Sequence, residues 1–384
     1  MRVSVRVVAG AGDQSAALGG QRAGGDEAAM AFGEGFGGFR AVLLQPRHIG
    51  DDEGVEADCV GIAEQWQRQR KDGIVLSVAA MRSQTSEKQP GRMRHHMNEH
   101  TISESGLRAT VRALGAELCS FQGPGGEMLW QAGPVWPRHA PVLFPIVGRL
   151  KNDVLRHEGR EYRMTQHGFA RDRAFAWGAR ATDHCRLVLT DDEFTRAMYP
   201  FAFRFEMEFR IADGALCVTY RTVNTGDVML PASQGAHPAF RWPLTDGVAK
   251  EAHFLTFEAD ETALVPRLES GLLGEACHPS PIVDRVLALN ERLFAADAIV
   301  LPAPASRWVR YIAPGTAGLE MRWEEFPSFG IWMRPPGNFL CLEPWAGMTS
   351  PVGWDGDFVD KPGVVLIAPG DKLVSRFSLR VLGV

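Results

Sequence analysis

What most restricts this chain is the spacing of its turns. From Leu107 onward, short apolar runs follow one another, most of them closed by Gly, Pro, Asn or Asp. Runs of β-branched and aromatic residues punctuated in this way read as strands. They fall at Cys185–Thr190, Phe203–Ile211, Ala215–Val223, Val228–Ser233, His253–Phe257, Trp308–Ile312, Gly318–Trp323, Gly330–Met333, Phe339–Leu342, Gly363–Ile367 and Lys372–Val381. An earlier pair, Arg108–Leu114 and Glu117–Phe121, brackets Gly115 and ends at Gly123-Pro124-Gly125-Gly126. Asp213-Gly214 is a hairpin signal, and Asn224-Thr225-Gly226 is a second. Helix is confined to Asp191–Met198, with Thr190 as its cap, and to Arg292–Ala296. Parallel strands need crossovers of a dozen or more residues, usually helical, and no such helices are present. The pattern therefore predicts an all-β fold, one large antiparallel β-sandwich.

Residues 1–97 obey no such pattern. GAGDQSAALGGQRAGGDEAAMAFGEGFGGF is rich in Gly and Ala, and RSQTSEKQPGRMRHHMNEH is polar. Neither offers enough apolar surface to offset the entropy of ordering its backbone. The expectation is a low-complexity extension over 1–97, disordered or the product of a start set upstream of Met93 or Met97, followed by one domain over 98–384.

Composition narrows the partners. A net charge of −5 in 384 residues supplies no field for nucleic acid or an anionic membrane. No apolar run of about 18 residues is present, and no secretory h-region follows the N-terminus. The six cysteines are scattered without a C-x-x-C pair, which predicts reduced thiols in a cytoplasmic protein. Oligomeric state has no signature.

Three segments concentrate ionisable residues beside Gly or Pro at strand ends: Gln166-His167-Gly168-Phe169-Ala170-Arg171-Asp172, Ser233-Gln234-Gly235-Ala236-His237-Pro238-Ala239-Phe240, and Cys341-Leu342-Glu343-Pro344-Trp345-Ala346-Gly347. One carboxylate with two imidazoles suits acid/base work near neutral pH. No two of these residues have the close spacing of a metal site, and a G-x-S-x-G elbow, a P-loop and a dinucleotide fingerprint are all missing. Alternation puts Glu343 on the face of Cys341 and Phe339, read as core-side, where an unpaired carboxylate is costly. Asp172, between Arg171 and Arg173, reads as a structural ion-pair partner.

In these motifs the chain resembles the aldose 1-epimerase family, of the galactose mutarotase-like supersandwich fold. The resemblance is to the branch with HGFARD, GAHPAF and EPW signatures, and it runs from about Leu107 to Val381. Leu114-Gly115-Ala116-Glu117, the segment Pro141 to Leu150, Phe329-Gly330-Ile331-Trp332 and Lys361-Pro362-Gly363 match in order. The resemblance implies a mutarotase that interconverts the α and β anomers of an aldohexose, with His237 as general acid and Glu343 as general base. It further implies His167 near the ring oxygen and Arg149 and Arg171 as sugar-binding arginines. Trp345 could cover an apolar sugar face. It implies no metal and no cofactor, and a small sugar as the partner. Gly235-Ala236-His237-Pro238 departs from the Asn-His-Thr setting of better-known galactose mutarotases, so the sugar itself is left open. A hexose 6-phosphate mutarotase and a non-catalytic carbohydrate-binding module are the alternatives.

Overall fold

The computed structural model describes residues 98–383, together with a two-residue antiparallel pairing of Ala29–Met30 with Leu76–Ser77. The remainder of the expected 1–97 extension lies outside the described residues. From Glu99 onward the molecule is built of antiparallel sheets. The largest has nine strands, in the order 176–180, 184–190, 203–212, 215–224, 372–382, 318–324, 308–312, 254–257 and 286–288. A second sheet is ordered 299–301, 328–332, 339–346, 234–236 and 142–143, with 239–241 also paired to 339–346.

The strongest sequence signals gave the most regular elements. Phe203–Ala212 and Ala215–Asn224 pair over their full length across Asp213 and Gly214, both at positive φ (52° and 69°). That is the backbone a two-residue hairpin turn demands. The Asn224 turn also forms, with Asn224 Oδ1 accepting from Gly226 N at 2.9 Å. It does not make a hairpin, however, because the next strand, Leu230–Ala232, pairs with Val365–Ile367. The short helix is Glu193–Arg196, and its cap is Asp192 rather than Thr190, in a reciprocal capping box with Thr195. The second helical stretch is a 3₁₀ turn, Glu291–Phe294, capped by Asn290. Glu99–Glu104, paired with Leu107–Arg112, adds a strand that the sequence pattern did not mark.

The two faces of the second sheet have different jobs. One face packs on the nine-stranded sheet. There Phe329 stacks on Trp323 with ring centroids 4.4 Å apart, and Gln234 is fully buried. Gln234 Oε1 accepts from Thr222 Oγ1 at 2.8 Å, and its Nε2 donates to Ser375 Oγ at 2.9 Å. A buried amide satisfied on both sides fixes position as well as energy. The opposite face carries Leu143, Val147, Ala298, Val300 and Trp345 as a separate apolar cluster, with Leu268 and Leu273 of the hairpin Val265–His278 packed on it. The central strand Phe339–Ala346 is consequently buried at every residue. Among the described residues no helix is long and apolar enough to cross a membrane. Cys119, Cys185, Cys217, Cys277 and Cys341 are free thiols.

Candidate active site

Strand register explains how His237 and Glu343 meet. Gly235 faces Trp345, and Ala239 faces Cys341, so one register continues on both sides of Pro238. Two residues along each strand from either pair, His237 lies opposite Glu343. Directly opposed side chains of an antiparallel pair sit about 4.5–5.5 Å apart at Cβ. Here His237 Nε2 is 3.4 Å from Glu343 Oε2. Pro238 has no N–H to give, which suits a break in the ladder at this point.

Glu343 shares the face of Cys341 and Phe339, as expected. That face is not the inter-sheet core, which takes Phe329 and Gln234; it is the one bearing Trp345 and the Val265–His278 hairpin. Opposite Glu343 stands Gly330, where an added Cβ would lie 2.3 Å from Trp345 Cη2. The benzo edge of the indole thus lies against Gly330, and a larger residue at 330 would displace it. Trp345 itself is only 6% exposed.

His167 arrives from another loop. Its own φ is 66°, and Gly168 at φ 72° approaches Phe144 so closely that a Cβ would meet Phe144 O at 2.2 Å. Only glycine allows that approach. His167 Nδ1 accepts from Gly148 N at 3.1 Å, which leaves Nε2 as the protonated nitrogen of a neutral ring. Its ring meets His237 edge-on at 5.5 Å. On the other side, Trp136 stacks on His237 at 5.2 Å, and Trp332 meets it edge-on at 5.6 Å.

Burial and charge set the protonation of this group. Burial, then the guanidinium groups of Arg171 and Arg138, pull His237 down to about 3. Burial, then His237, Arg171 and Arg138, push His167 well below the usual imidazole range. Burial, then Asp297, push Glu343 well above the carboxylate range. The Trp345 indole N–H opposes that rise, although its Nε1 makes no hydrogen bond of normal geometry. Each of these shifts disfavours the charged form of its group. The starting form that the resemblance implies, with His237 protonated and Glu343 ionised, runs against both shifts, whose largest cause is burial.

Five of the six residues singled out in the sequence fall here: His237, Glu343, His167, Trp345 and Arg171. Arg171 Nη2 donates to Gln166 O at 2.7 Å, while its buried Nε makes no hydrogen bond and lies 3.7 Å from Asp172 Oδ2. Arg149 is engaged differently: Nε lies 3.1 Å from Asp153 Oδ1, and Cδ sits by Gly271 at the tip of the hairpin. Asp172 is an ion-pair partner, but of Arg138 (2.9 Å) and Arg171 (3.7 Å), whereas Arg173 turns to Asp192. Sequence reasoning missed Trp136, Arg138 and Trp332. Trp332 was visible only as a fold landmark. Trp136-Pro137-Arg138 lies in a Pro-rich connection without periodicity, where the one cue was an aromatic and a cation in a loop.

A sandwich of this topology with a buried, mutually facing imidazole and carboxyl defines a class of acid/base site, and comparison with known proteins gives the family. A sequence profile described as Aldose 1-epimerase matches residues 99–307, more than half of the chain, and the chain belongs to that family. It is similar to Protein LacX, chromosomal, of Lactococcus lactis subsp. lactis, at 28% identity over 290 residues, covering 72% of this chain and 97% of the relative. It is also similar to the crystal structure of a galactose mutarotase related enzyme from Lactobacillus acidophilus, at 31% identity and a TM-score of 0.69, over 74% of this chain and 97% of that one. A galactose mutarotase-like protein from Lactobacillus casei ATCC 334, at 24% identity, shares the fold with a TM-score of 0.69, over 74% of this chain and 99% of that one.

Proposed function

We propose that the chain is a mutarotase that interconverts the α and β anomers of an aldohexose, with His237 and Glu343 as its proton-transfer pair. The observation that carries this is the 3.4 Å approach of two buried groups from adjacent strands, one basic and one acidic. Anomer exchange needs a base for the C1 hydroxyl proton and an acid for the ring oxygen. As the C1–O5 bond breaks, one member of the pair takes the first proton and the other gives the second. Rotation about C1–C2 presents the other carbonyl face, and the two reverse roles on closing. The resemblance assigns the acid to His237 and the base to Glu343; burial of the two groups favours the opposite start. Either start works, because the pair holds one proton and each ring opening moves it from one member to the other.

Each contact supplies about 10²–10⁴-fold. In this reading His167 Nε2–H and the Arg171 guanidinium hold sugar oxygens, with Arg149 at the hairpin tip and Trp345 against an apolar sugar face. Five free thiols accord with a cytoplasmic setting. The phosphorylated-hexose reading has its own observation: Arg138 and Arg171 share a single carboxylate, Asp172. The test is NMR exchange between anomers of glucose, galactose and glucose 6-phosphate. Accelerated exchange is expected for at least one sugar. Saturable binding without acceleration would leave a carbohydrate-binding module instead.

A further inference from the structure

We infer that His237, Cys341 and Glu343 form a capture site for a thiophilic divalent cation of the zinc class, and that occupying it silences the proton-transfer pair. One donor atom from each of the three lies within 4.8 Å of the others, and all three residues are buried. Strand alternation brings Cys341 and Glu343 to one face, and the register sets His237 opposite Glu343.

The 3.4 Å between His237 Nε2 and Glu343 Oε2 is close to the edge of a tetrahedron built on zinc bonds of about 2.0–2.1 Å. A small inward movement of Sγ would complete three corners. On binding, the Cys341 thiol proton and the Glu343 carboxyl proton both leave to solvent as the metal–sulfur and metal–oxygen bonds form, with no change of oxidation state. The thiolate and carboxylate then offset the two positive charges, and the neutral imidazole is a ready ligand. His237 Nδ1 is buried without a hydrogen-bond partner, and the Trp345 indole N–H is the one side-chain donor that bears on Glu343 among the described residues. A metal held by His237 and Glu343 occupies the groups that would move protons.

A second cluster, Glu117, Cys119 and His139, has the same donor types. There Glu117 accepts from two backbone N–H groups and its other oxygen lies 3.7 Å from Arg112, so the carboxylate is already engaged on both sides. The contrast makes the first cluster the better trap.

The experiment is an optical titration of the full chain with Co²⁺, read as the thiolate-to-cobalt charge-transfer band and the visible bands of four-coordinate cobalt. One equivalent is expected to develop both, and Zn²⁺ is expected to displace it. Cys341→Ala should abolish the charge-transfer band, Cys119→Ala should keep it, and Glu343→Gln should weaken Co²⁺ binding at least tenfold. The last variant decides the matter if Cys341→Ala does not fold. No band, a band that survives Cys341→Ala, or one lost in Cys119→Ala would overturn the site. Inhibition of anomer exchange by Zn²⁺, reversed by EDTA, tests the second half, which rests on the mutarotase reading. The titration needs no catalysis, so cobalt binding in a chain that does not accelerate exchange removes the mutarotase reading and leaves the metal site standing.

Discussion

Glu117 and Glu343 are near-twins by composition and opposites by chemistry. Each sits on a strand, two residues from a cysteine, with a histidine nitrogen 3.7 Å or 3.4 Å away. Glu117 is saturated: its Oε1 accepts from His139 N at 2.8 Å and Ala140 N at 3.2 Å, and Arg112 stands 3.7 Å from Oε2. Burial pushes its carboxyl up, but the hydrogen bonds from His139 and Ala140 outweigh that and hold it below the usual range. Glu343 has no such donors and is driven the other way. The difference teaches that residue types do not define a reactive carboxylate. What defines it is a shortage of partners where charge is expensive.

The largest effect that would break this contrast is on catalysis. Glu343→Gln keeps the shape and removes the transferable proton, so anomer exchange should fall by about 10²–10⁴-fold. Circular dichroism should stay that of the wild type. Near-normal exchange in this variant would demote Glu343 to a buried structural acid like Glu117.

Glu117→Ala should do the reverse. It removes charge-assisted hydrogen bonds to a buried loop, a loss of about 2–4 kcal/mol of stability. That corresponds to a fall of roughly 5–10 °C in Tm for a domain of this size. The same loop carries Trp136 and Arg138 toward His237, so exchange should drop, but by less than tenfold. A variant that loses exchange completely while melting normally would place Glu117 in the chemistry.

A third difference lies in the rate's dependence on pH. Below about 3 both members of the His237–Glu343 pair are protonated and no base remains, and once Glu343 ionises no acid remains. Between these limits kcat/KM should hold a plateau whose upper edge lies above the ordinary carboxylate value of 4.5. A single step near 6.5 would show that His237 titrates as an exposed imidazole, contrary to its burial.

Some of this was legible in the sequence. The alternation of Phe203–Ala212 and Ala215–Asn224, and the Asp213-Gly214 turn, declare a hairpin locally. The motif segments declare His167, His237 and Glu343. Register across the second sheet was not legible, because the strands bearing His237 and Glu343 are far apart in the chain and no local pattern sets their pairing. Nor was the Val265–His278 hairpin: Glu275, Ala276, Cys277 and His278 are all exposed, and the register shifts between Pro266 and Leu268, so no alternation survives to be read. Trp136 and Arg138 acquire meaning only when Glu117 folds their loop onto the site.

The smallest effect gives the sharpest comparison, because it depends on sign. Glu117, held below its unfolded pKa, binds fewer protons when folded than when unfolded. Its contribution is present above the ordinary carboxylate range and is lost as pH falls. Glu343, held above its unfolded pKa, binds more protons when folded, so stability declines as pH rises past the ordinary value of 4.5 toward the raised one. Glu343→Gln cannot ionise and escapes that decline. Its Tm should equal or exceed that of the wild type at pH 5, and the gap should widen by about 2–4 °C for each kcal/mol gained as pH rises to 8. Glu117→Gln should show the opposite slope, with a deficit against wild type that shrinks as pH falls through the acid range. Parallel curves for the two variants would mean that both carboxyls are titrating in the same environment, and the distinction between a satisfied acid and a strained one would fall.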